Sequence, residues 1–143
     1  MQTQTEQFSA AHIINMEREA LRRWGMGDPD GFIEIMAPDI TYFDPTTEVR
    51  IDGLEALAPH LGVIRNNLSI EAADLLNPHV VLAGECAVLT FNLISRRSSF
   101  NNSPRTDVHW KSTEIYCRID GAWKIIHSHW SFTTPALAGP ATM

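Results

Sequence analysis

The amino-acid sequence predicts one α+β domain, with three helices in the first half of the chain packed into a strongly curved, mostly antiparallel sheet formed by the second half. Three observations predict this class. The chain has 143 residues, the size of a single domain. Apolar residues recur at helical spacing in the first half and at strand spacing from residue 68 onward. No stretch rich in Pro, Gly or Ser divides the chain.

Helices on one face of a bent antiparallel sheet form a cone, and the hollow of the cone is a natural ligand pocket. We therefore expect a single domain with a central pocket. Its core is predicted at about residues 5–134, and the tail at residues 135–143, with Pro135, Gly139 and Pro140, is expected to be flexible.

The first helix is predicted at residues 5–24, with charged residues 17–19, 22 and 23 on one side. Its apolar side is formed by Phe8, Ala11, Ile14, Leu21 and Trp24. A short second helix is predicted to begin at Asp28-Pro29 and to end before Pro38. A third helix is predicted to be capped by Asp52 and kinked, or started late, by Pro59.

Short strands are predicted at residues 40–43 and 49–51, around a turn at residues 44–47. Four longer strands follow, at residues 68–76, 80–94, 108–119 and 123–132. Asn77-Pro78 is predicted to end the first of these, and Gly84-Glu85 to bend the second. Residues 98–105 are predicted to form a loop, and Asp120-Gly121 the turn of the last hairpin.

Charge and composition exclude several classes of function. The chain has 11 basic and 17 acidic residues, and the basic ones are scattered, so we expect neither nucleic acid nor an anionic membrane surface as a partner. No apolar run has membrane-spanning length and the polar start does not resemble a signal peptide, which favours a cytoplasmic location. Cys86 and Cys117 are expected to be reduced thiols in the core.

Two parts of the chain resemble known proteins. Residues 27–31, residues 40–45 and Gly53 resemble the front half of ketosteroid isomerase, and Asp44-Pro45 falls where that enzyme has its catalytic Asp-Pro. The back half resembles the association (hub) domain of calcium/calmodulin-dependent protein kinase and, in its ending, the SnoaL-like domains. That likeness is carried by residues 76–80, Gly84-Glu85, Pro104-Arg105-Thr106, Arg118, Asp120-Gly121, Trp123, His127-Ser128-His129 and Pro135.

On these residues the chain is identified as a member of the nuclear-transport-factor-2-like superfamily over roughly residues 21–135. The superfamily includes isomerases, dehydratases, cyclases, epoxide hydrolases and assembly domains, so the resemblance implies the fold more than the function. The two oxyanion donors of ketosteroid isomerase fall on Ala20 and Thr113, which implies that steroid isomerisation is not the reaction. The hub has Phe-Glu-Pro where this chain has Phe43-Asp44-Pro45, and it needs no catalytic base there.

Asp44 is the first candidate for catalysis. A carboxylate at the mouth of an apolar cone, beside Tyr42 and Phe43, can act as a base toward a carbon acid. An Asp before Pro can also be a simple turn residue.

His127 and His129 are the next candidates, since residues two apart on a strand share a face, here with Trp123 and Ile125. With a two-residue turn in the last hairpin, Glu114 lies opposite His127 and forms an acid–imidazole pair. With a three-residue turn, Thr113 faces His127 and Glu114 joins the face of Trp130 and Trp110. The histidines can equally be hydrogen-bonded core or interface groups, as the same His-x-His of the hub implies.

We expect the hollow to bind a small hydrophobic ligand. The predicted binding residues are Trp24, Tyr42, His60, Trp110 and Trp130. Two pocket arginines of the hub fall on Glu114 and Trp130, so carboxylate ligands are not favoured as they are in the hub. His127, His129 and Glu114 could converge on a metal, but no metal-binding signature supports one, and we predict neither a metal nor a cofactor.

Two hypotheses follow. In the first, the protein is a cofactor-independent isomerase-, cyclase- or dehydratase-type enzyme that acts on a hydrophobic carbonyl or polyketide-like metabolite. In the second, it is a non-catalytic, hub-like association module or a ligand-binding module. Both predict a homodimer or larger homo-oligomer, because no helix remains to cover the outer face of the long sheet.

Overall fold

The computed structural model describes residues 3–97 and 106–133, and it has three helices and one curved, open sheet of six strands. The helices are α1 (Gln4–Gly25), α2 (Asp30–Ile33) and α3 (Leu54–Gly62). The strands are β1 (Met36–Phe43), β2 (Ile51–Asp52), β3 (Ile70–Ala83), β4 (Cys86–Arg97), β5 (Thr106–Ile119) and β6 (Ala122–Phe132). The predicted α+β cone is confirmed.

The strand order across the sheet is β2-β1-β6-β5-β4-β3. β1 runs parallel to β6 and all other neighbouring strands are antiparallel, in agreement with the predicted mostly antiparallel sheet. Within the described part of the chain, no helix combines the length and the apolar character that crossing a membrane requires. The predicted loop at residues 98–105 and the predicted tail at residues 135–143 lie outside the described residues.

α1 begins with a capping box, in which Thr3 and Glu6 each accept a hydrogen bond from the other's backbone N–H. The helix was predicted at this place, but its buried side differs from the predicted one. Ile13, Glu17 and Ala20 are buried, whereas Phe8 is 69% exposed. Glu17 therefore faces the core, although it was grouped with the charged side of the helix.

β1 begins four residues earlier than predicted, because α2 is only four residues long. Pro38 lies inside β1 instead of ending a helix. The register between β1 and β6 is interrupted between Met36 and Thr41, so the missing N–H of Pro38 falls in an irregular stretch of the ladder. At the start of α3 the N-cap is Gly53, while Asp52 bonds to Arg50.

The division between β3 and β4 was predicted at the wrong place. β3 continues through Asn77-Pro78, and the chain turns at Gly84-Glu85 instead. β3 is an edge strand, so a proline there removes no ladder bond that a neighbour needs. Gly84 has a φ of +61°, the left-handed conformation that a tight hairpin turn favours.

The β5–β6 hairpin has a two-residue turn, with Asp120 and Gly121 both at positive φ. The register then shifts, since Tyr116 pairs with Ile125 but Ile115 pairs with His127. Ile126 is the extra residue of this bulge, and it reverses the alternation of β6 beyond it. Trp123 and Ile125 therefore lie in the core, whereas His127 and His129 lie on the opposite, convex face.

Cys86 and Cys117, predicted to be reduced thiols, form a disulfide between the paired strands β4 and β5. The prediction was wrong because it considered each cysteine within its own strand and not the register that places the two opposite each other. A disulfide is typical of oxidising compartments, so the cysteines give no support to the predicted cytoplasmic location.

We expect the disulfide to stabilise the fold by closing a loop of 31 residues, an effect of about 4 kcal/mol in the chain-entropy description. A Cys86→Ala/Cys117→Ala double variant should unfold at lower urea concentration than the oxidised protein. Reductant should bring the wild type to the same midpoint and leave the double variant unchanged. Free thiols found in the purified, air-oxidised protein would contradict the cross-link.

Candidate functional site

A cavity of about 170 Å³ lies between the helices and the concave face of the sheet. Aliphatic residues such as Leu21, Leu61 and Leu93 form part of its wall. Six aromatic residues form much of the rest: Trp24, Phe32, Tyr42, Trp110, Trp130 and Phe132. Asp44 is the only charged side chain among the described lining residues, so a single carboxylate faces an otherwise apolar space.

The aromatic wall is a continuous series of ring contacts. Phe32 meets Trp24 edge-to-face with centroids 5.9 Å apart and Trp130 at 6.2 Å. Trp130 in turn meets Trp110 at 6.0 Å, and Trp110 meets Phe132 at 4.7 Å. Edge-to-face contacts of this kind contribute more stabilising free energy than the burial of their surface alone. The aromatic wall is therefore preformed in the absence of a ligand.

Asp44 follows directly after β1 and is held by four donors. Its Oδ1 accepts from the backbone N of Thr46 at 2.7 Å and from the Thr46 hydroxyl at 2.6 Å, an Asx turn. Its Oδ2 accepts from the Tyr42 hydroxyl at 2.9 Å and from His60 Nε2, on α3, at 2.8 Å. The side chain is 15% exposed, so the carboxylate is fixed at the edge of the cavity.

Burial opposes the ionisation of Asp44, but the hydrogen bonds from Thr46, His60 and Tyr42 outweigh it and hold the pKa of the carboxyl below its usual value. Since an ionised carboxylate can only accept, His60 Nε2 carries the proton of this hydrogen bond. Burial and the charge of Asp44 raise the pKa of the Tyr42 phenol, which stays a donor.

Ser95 is a polar lining residue that the sequence did not single out. It lies on β4, buried, and accepts a hydrogen bond from Trp110 Nε1 at 3.2 Å. Its own hydroxyl proton can donate to a ligand oxygen. The cavity therefore combines one ionised acceptor, Asp44, with the hydroxyl donor Ser95, since the single proton of the Tyr42 hydroxyl is donated to Asp44.

Glu114 lies in the core and does not line the cavity. It is fully buried and shares the concave face with Trp130, as expected for a three-residue turn. Both predicted registers are nevertheless wrong, because the turn has two residues and the bulge pairs His127 with Ile115 and not with Glu114 or Thr113. Its Oε1 accepts from the Ser128 hydroxyl, which in turn accepts from Trp130 Nε1 at 2.9 Å. Glu114 thus acts on the cavity indirectly, by orienting the indole of Trp130.

A second buried acid, Glu17 of α1, interacts electrostatically with Glu114 and accepts from the Tyr116 hydroxyl at 2.7 Å. Among the described residues, the Oε2 atoms of both acids have no hydrogen-bond partner. Two neighbouring buried carboxyl groups disfavour each other's ionisation, so the pair holds protons more strongly than exposed acids do.

Burial raises the pKa of Glu17 from 4.5 to about 7 despite the hydrogen bond from Tyr116. Burial, followed by the charge of Glu17, raises the pKa of Glu114 well above its usual value. Glu114 is therefore the member that keeps its proton when Glu17 ionises.

His127 and His129 lie on the convex face, away from the cavity. His127 Nδ1 is 2.7 Å from the Thr41 hydroxyl, and Phe43 contacts the His129 ring with centroids 5.3 Å apart. Burial and the neighbouring His129 lower the pKa of His127. In the described part of the chain, no three His, Cys, Asp or Glu side chains come together as metal ligands.

Comparison with known proteins identifies the family to which this fold belongs. Residues 9–134 match the model of the calcium/calmodulin dependent protein kinase II association domain family. The chain belongs to this family. The nuclear-transport-factor-2-like superfamily expected from the sequence is thereby confirmed.

Among solved structures, this association-domain chain is similar to a "putative ketosteroid isomerase" from Parabacteroides distasonis, with 39% identity, 86% of each chain covered and a TM-score of 0.74. It is also similar to the association domain of C. elegans CaMKII, with 17% identity, 90% and 99% of the two chains covered and a TM-score of 0.76. Among curated proteins it is 27% identical to the delta subunit of type II calcium/calmodulin-dependent protein kinase from Oryctolagus cuniculus. That match covers 82% of this chain and 22% of the kinase.

Of the predicted site residues, the structure brings together Asp44, Tyr42, Trp24, Trp110 and Trp130 around the cavity, with His60 bonded to Asp44. It places Glu114, His127 and His129 elsewhere, as described above. Sequence reasoning missed the pairing of Glu17 with Glu114. A signal for Glu17 was present, because it falls four residues after Ile13 and three before Ala20, the spacing of one helix face.

The raised pKa of Glu17 predicts how its contribution to stability depends on pH. Because the pKa of Glu17 is raised in the fold, this group binds more protons in the folded state than in the unfolded state between about pH 4.5 and 7. Its contribution should be fully present below this window and be lost through it as pH rises, by up to about 1.4 kcal/mol per pH unit.

Urea unfolding at several pH values measures this slope. In a Glu114→Gln variant, the amide can donate to Glu17 and accept from Ser128, so the slope should flatten. A Glu48→Gln variant, at an exposed position, is the matched control and should keep the wild-type slope. An equal slope in wild type and Glu114→Gln would show that Glu114 does not influence the protonation of Glu17 in the fold.

Proposed function

We propose that this protein is a cofactor-independent enzyme that transfers a proton on a small hydrophobic carbonyl compound bound in the cavity. The observation that carries the proposal is the position of Asp44, an ionised carboxylate that faces an apolar, aromatic-lined space. The similarity to the isomerase-like structure from Parabacteroides distasonis, over most of both chains, supports isomerase-type chemistry.

In the proposed step, Asp44 removes a proton from the carbon that lies between the carbonyl group and a carbon–carbon double bond. The C–H bond breaks, its electron pair forms the new double bond of a dienolate, and the carbonyl oxygen takes the negative charge. Return of the proton from Asp44 to the far carbon of the original double bond restores the carbonyl group, shifts the double bond into conjugation and completes an isomerisation. A ligand that fills the cavity displaces water from the carboxylate, which raises its pKa and makes it a stronger base.

The remaining roles follow from the contacts of Asp44. His60, Thr46 and Tyr42 hold the carboxylate in place through hydrogen bonds, and Ser95 is the hydroxyl donor proposed to hold the carbonyl oxygen. Trp24, Trp110 and Trp130 provide apolar contact with the ligand. Glu114, His127 and His129 have no part in the proton transfer, because none of them lines the cavity.

The size of the cavity limits the substrate. An engineered cavity of about 150 Å³ in another protein binds benzene, so a space of about 170 Å³ suits a compound with one ring. A four-ring steroid has many more carbon atoms. The volume and the absence of the isomerase's two donors at Ala20 and Thr113 together favour a single-ring ketone.

Deuterium exchange tests the proposal without knowledge of the substrate. A set of single-ring ketones in D2O, followed by NMR, should show protein-dependent exchange of the protons next to the carbonyl. Asp44→Asn should lower the rate by about 100-fold or more. Asp39→Asn, an exposed position on the same strand, is the control and should leave it unchanged. No exchange with any ketone, or equal rates in Asp44→Asn, would contradict the proposal.

We also propose that copies of the chain associate through the convex face of the sheet. Membership of an association-domain family supports this. A row of paired side chains crosses that face, formed by Val81, Val88, Ile115, His127 and Thr41. Val81 is 51% exposed although it is apolar, and no described helix packs on this face to cover it. Apolar groups exposed in this way favour contact with a second copy.

Light scattering coupled to gel filtration measures the assembly. The wild type should elute with the mass of a dimer or larger oligomer. Val88→Lys, which places a charge in the middle of the row, should shift it toward the monomer. Val63→Lys, at an apolar residue exposed beyond the end of α3, is the control and should keep the wild-type mass. A wild type that is monomeric at every concentration would refute the proposal.

A further inference from the structure

We infer that the cavity selects a ligand that has one ring and carries a protonated amine. The inference joins two features of the same space: the ionised carboxylate of Asp44 at its edge and the aromatic rings that form its wall. It rests on the cavity assigned above as the substrate site. It concerns what binds there, and it does not require that the bound molecule reacts.

The charge of Asp44 is not compensated within the cavity. The groups that bond to the carboxylate are hydroxyl, amide and imidazole N–H donors, which stabilise the anion but do not cancel its charge when His60 is neutral. No Lys or Arg is among the described residues that line the space. Arg50, on the loop before β2, is exposed and pairs with Asp52.

A negative charge beside an apolar space acts strongly on a ligand, because little water is present to screen it. An anionic ligand would be repelled, a neutral one would gain only the apolar contact, and a cationic one would be attracted. The overall charge of −6 also favours the approach of a cation. The electrostatics therefore predict that a cationic ligand binds most tightly, a neutral ligand less tightly and an anionic ligand least tightly.

The aromatic wall adds a second, independent preference for a cation. Ring faces carry partial negative charge, and sites that bind ammonium groups are commonly built from Trp, Tyr and Phe. Trp24, Trp110 and Trp130 all line the cavity. Tyr42 connects the two features, because its ring lines the cavity while its hydroxyl bonds to Asp44 at 2.9 Å.

A matched series of ligands tests the inference. Phenethylamine, 2-phenylethanol and phenylacetate are similar in size and differ in charge, and each has one ring, as the cavity volume requires. Calorimetry at about pH 8, where an ordinary imidazole is neutral, should show that the amine binds about tenfold or more tightly than the alcohol. Phenylacetate should bind more weakly than both.

Variants locate the source of the preference. Asp44→Asn should remove most of the difference between amine and alcohol while the alcohol still binds, whereas Asp39→Asn should keep the difference. Phenylacetate binding as tightly as the amine to the wild type would overturn the inference with no variant needed. A preference for the amine that persists in Asp44→Asn would overturn the role of Asp44.

The ligand-binding series and the deuterium-exchange assay test separate proposals, so either proposal can be contradicted while the other is kept. A protein that prefers the amine but exchanges no ketone protons would keep this inference and lose the proposed enzyme. A protein that exchanges ketone protons and binds the three ligands equally would keep the enzyme and lose the amine preference.

Discussion

The bulge at Ile126 is the constraint on which the cavity depends. A strand alternates its side chains strictly, and one extra residue reverses the alternation from that point onward. Without the bulge, β6 could not bury Trp123 and Ile125 near its start and also present Ser128 and Trp130 to the concave side near its end. The same residue directs His127 and His129 to the convex face. One irregularity thus separates the aromatic wall from the histidines.

The two acidic sites show how environment sets the state of a carboxyl group. Asp44 is partly buried but receives four hydrogen bonds, and it is ionised. Glu114 is fully buried, receives hydroxyl donors only and lies against a second acid, so it keeps its proton. The first site offers a charge to the cavity. In the second, Tyr116 of β5 donates a hydrogen bond to Glu17 of α1, which links the helix to the sheet. Glu114 supports the aromatic wall through Ser128 and Trp130.

The sequence could predict the order of the elements and the fold class, because these follow from hydrophobic periodicity and turn residues. It could not predict where the chain turns between β3 and β4, since Pro78 ends a strand only when that strand has neighbours on both sides. The aromatic residues of the cavity wall, such as Trp24, Trp110 and Trp130, were predictable as large aromatics of such a fold. The partner of Glu114 was not, because Glu17 is 97 positions away and the two meet only when α1 packs on the sheet. The disulfide was not predictable either, because Cys86 and Cys117 meet only in the register of β4 with β5.

Pro78 has a further consequence, for growth of the sheet. An edge strand with regular free N–H and C=O groups invites a strand of another molecule to add to it, which leads to open-ended polymers. β3 lacks such regularity, because Pro78 has no N–H and the register with β4 shifts between Leu76 and His79. β2, at the other edge, has only two residues. In the part of the chain that the structure describes, neither border of the sheet offers a template for fibre-like extension.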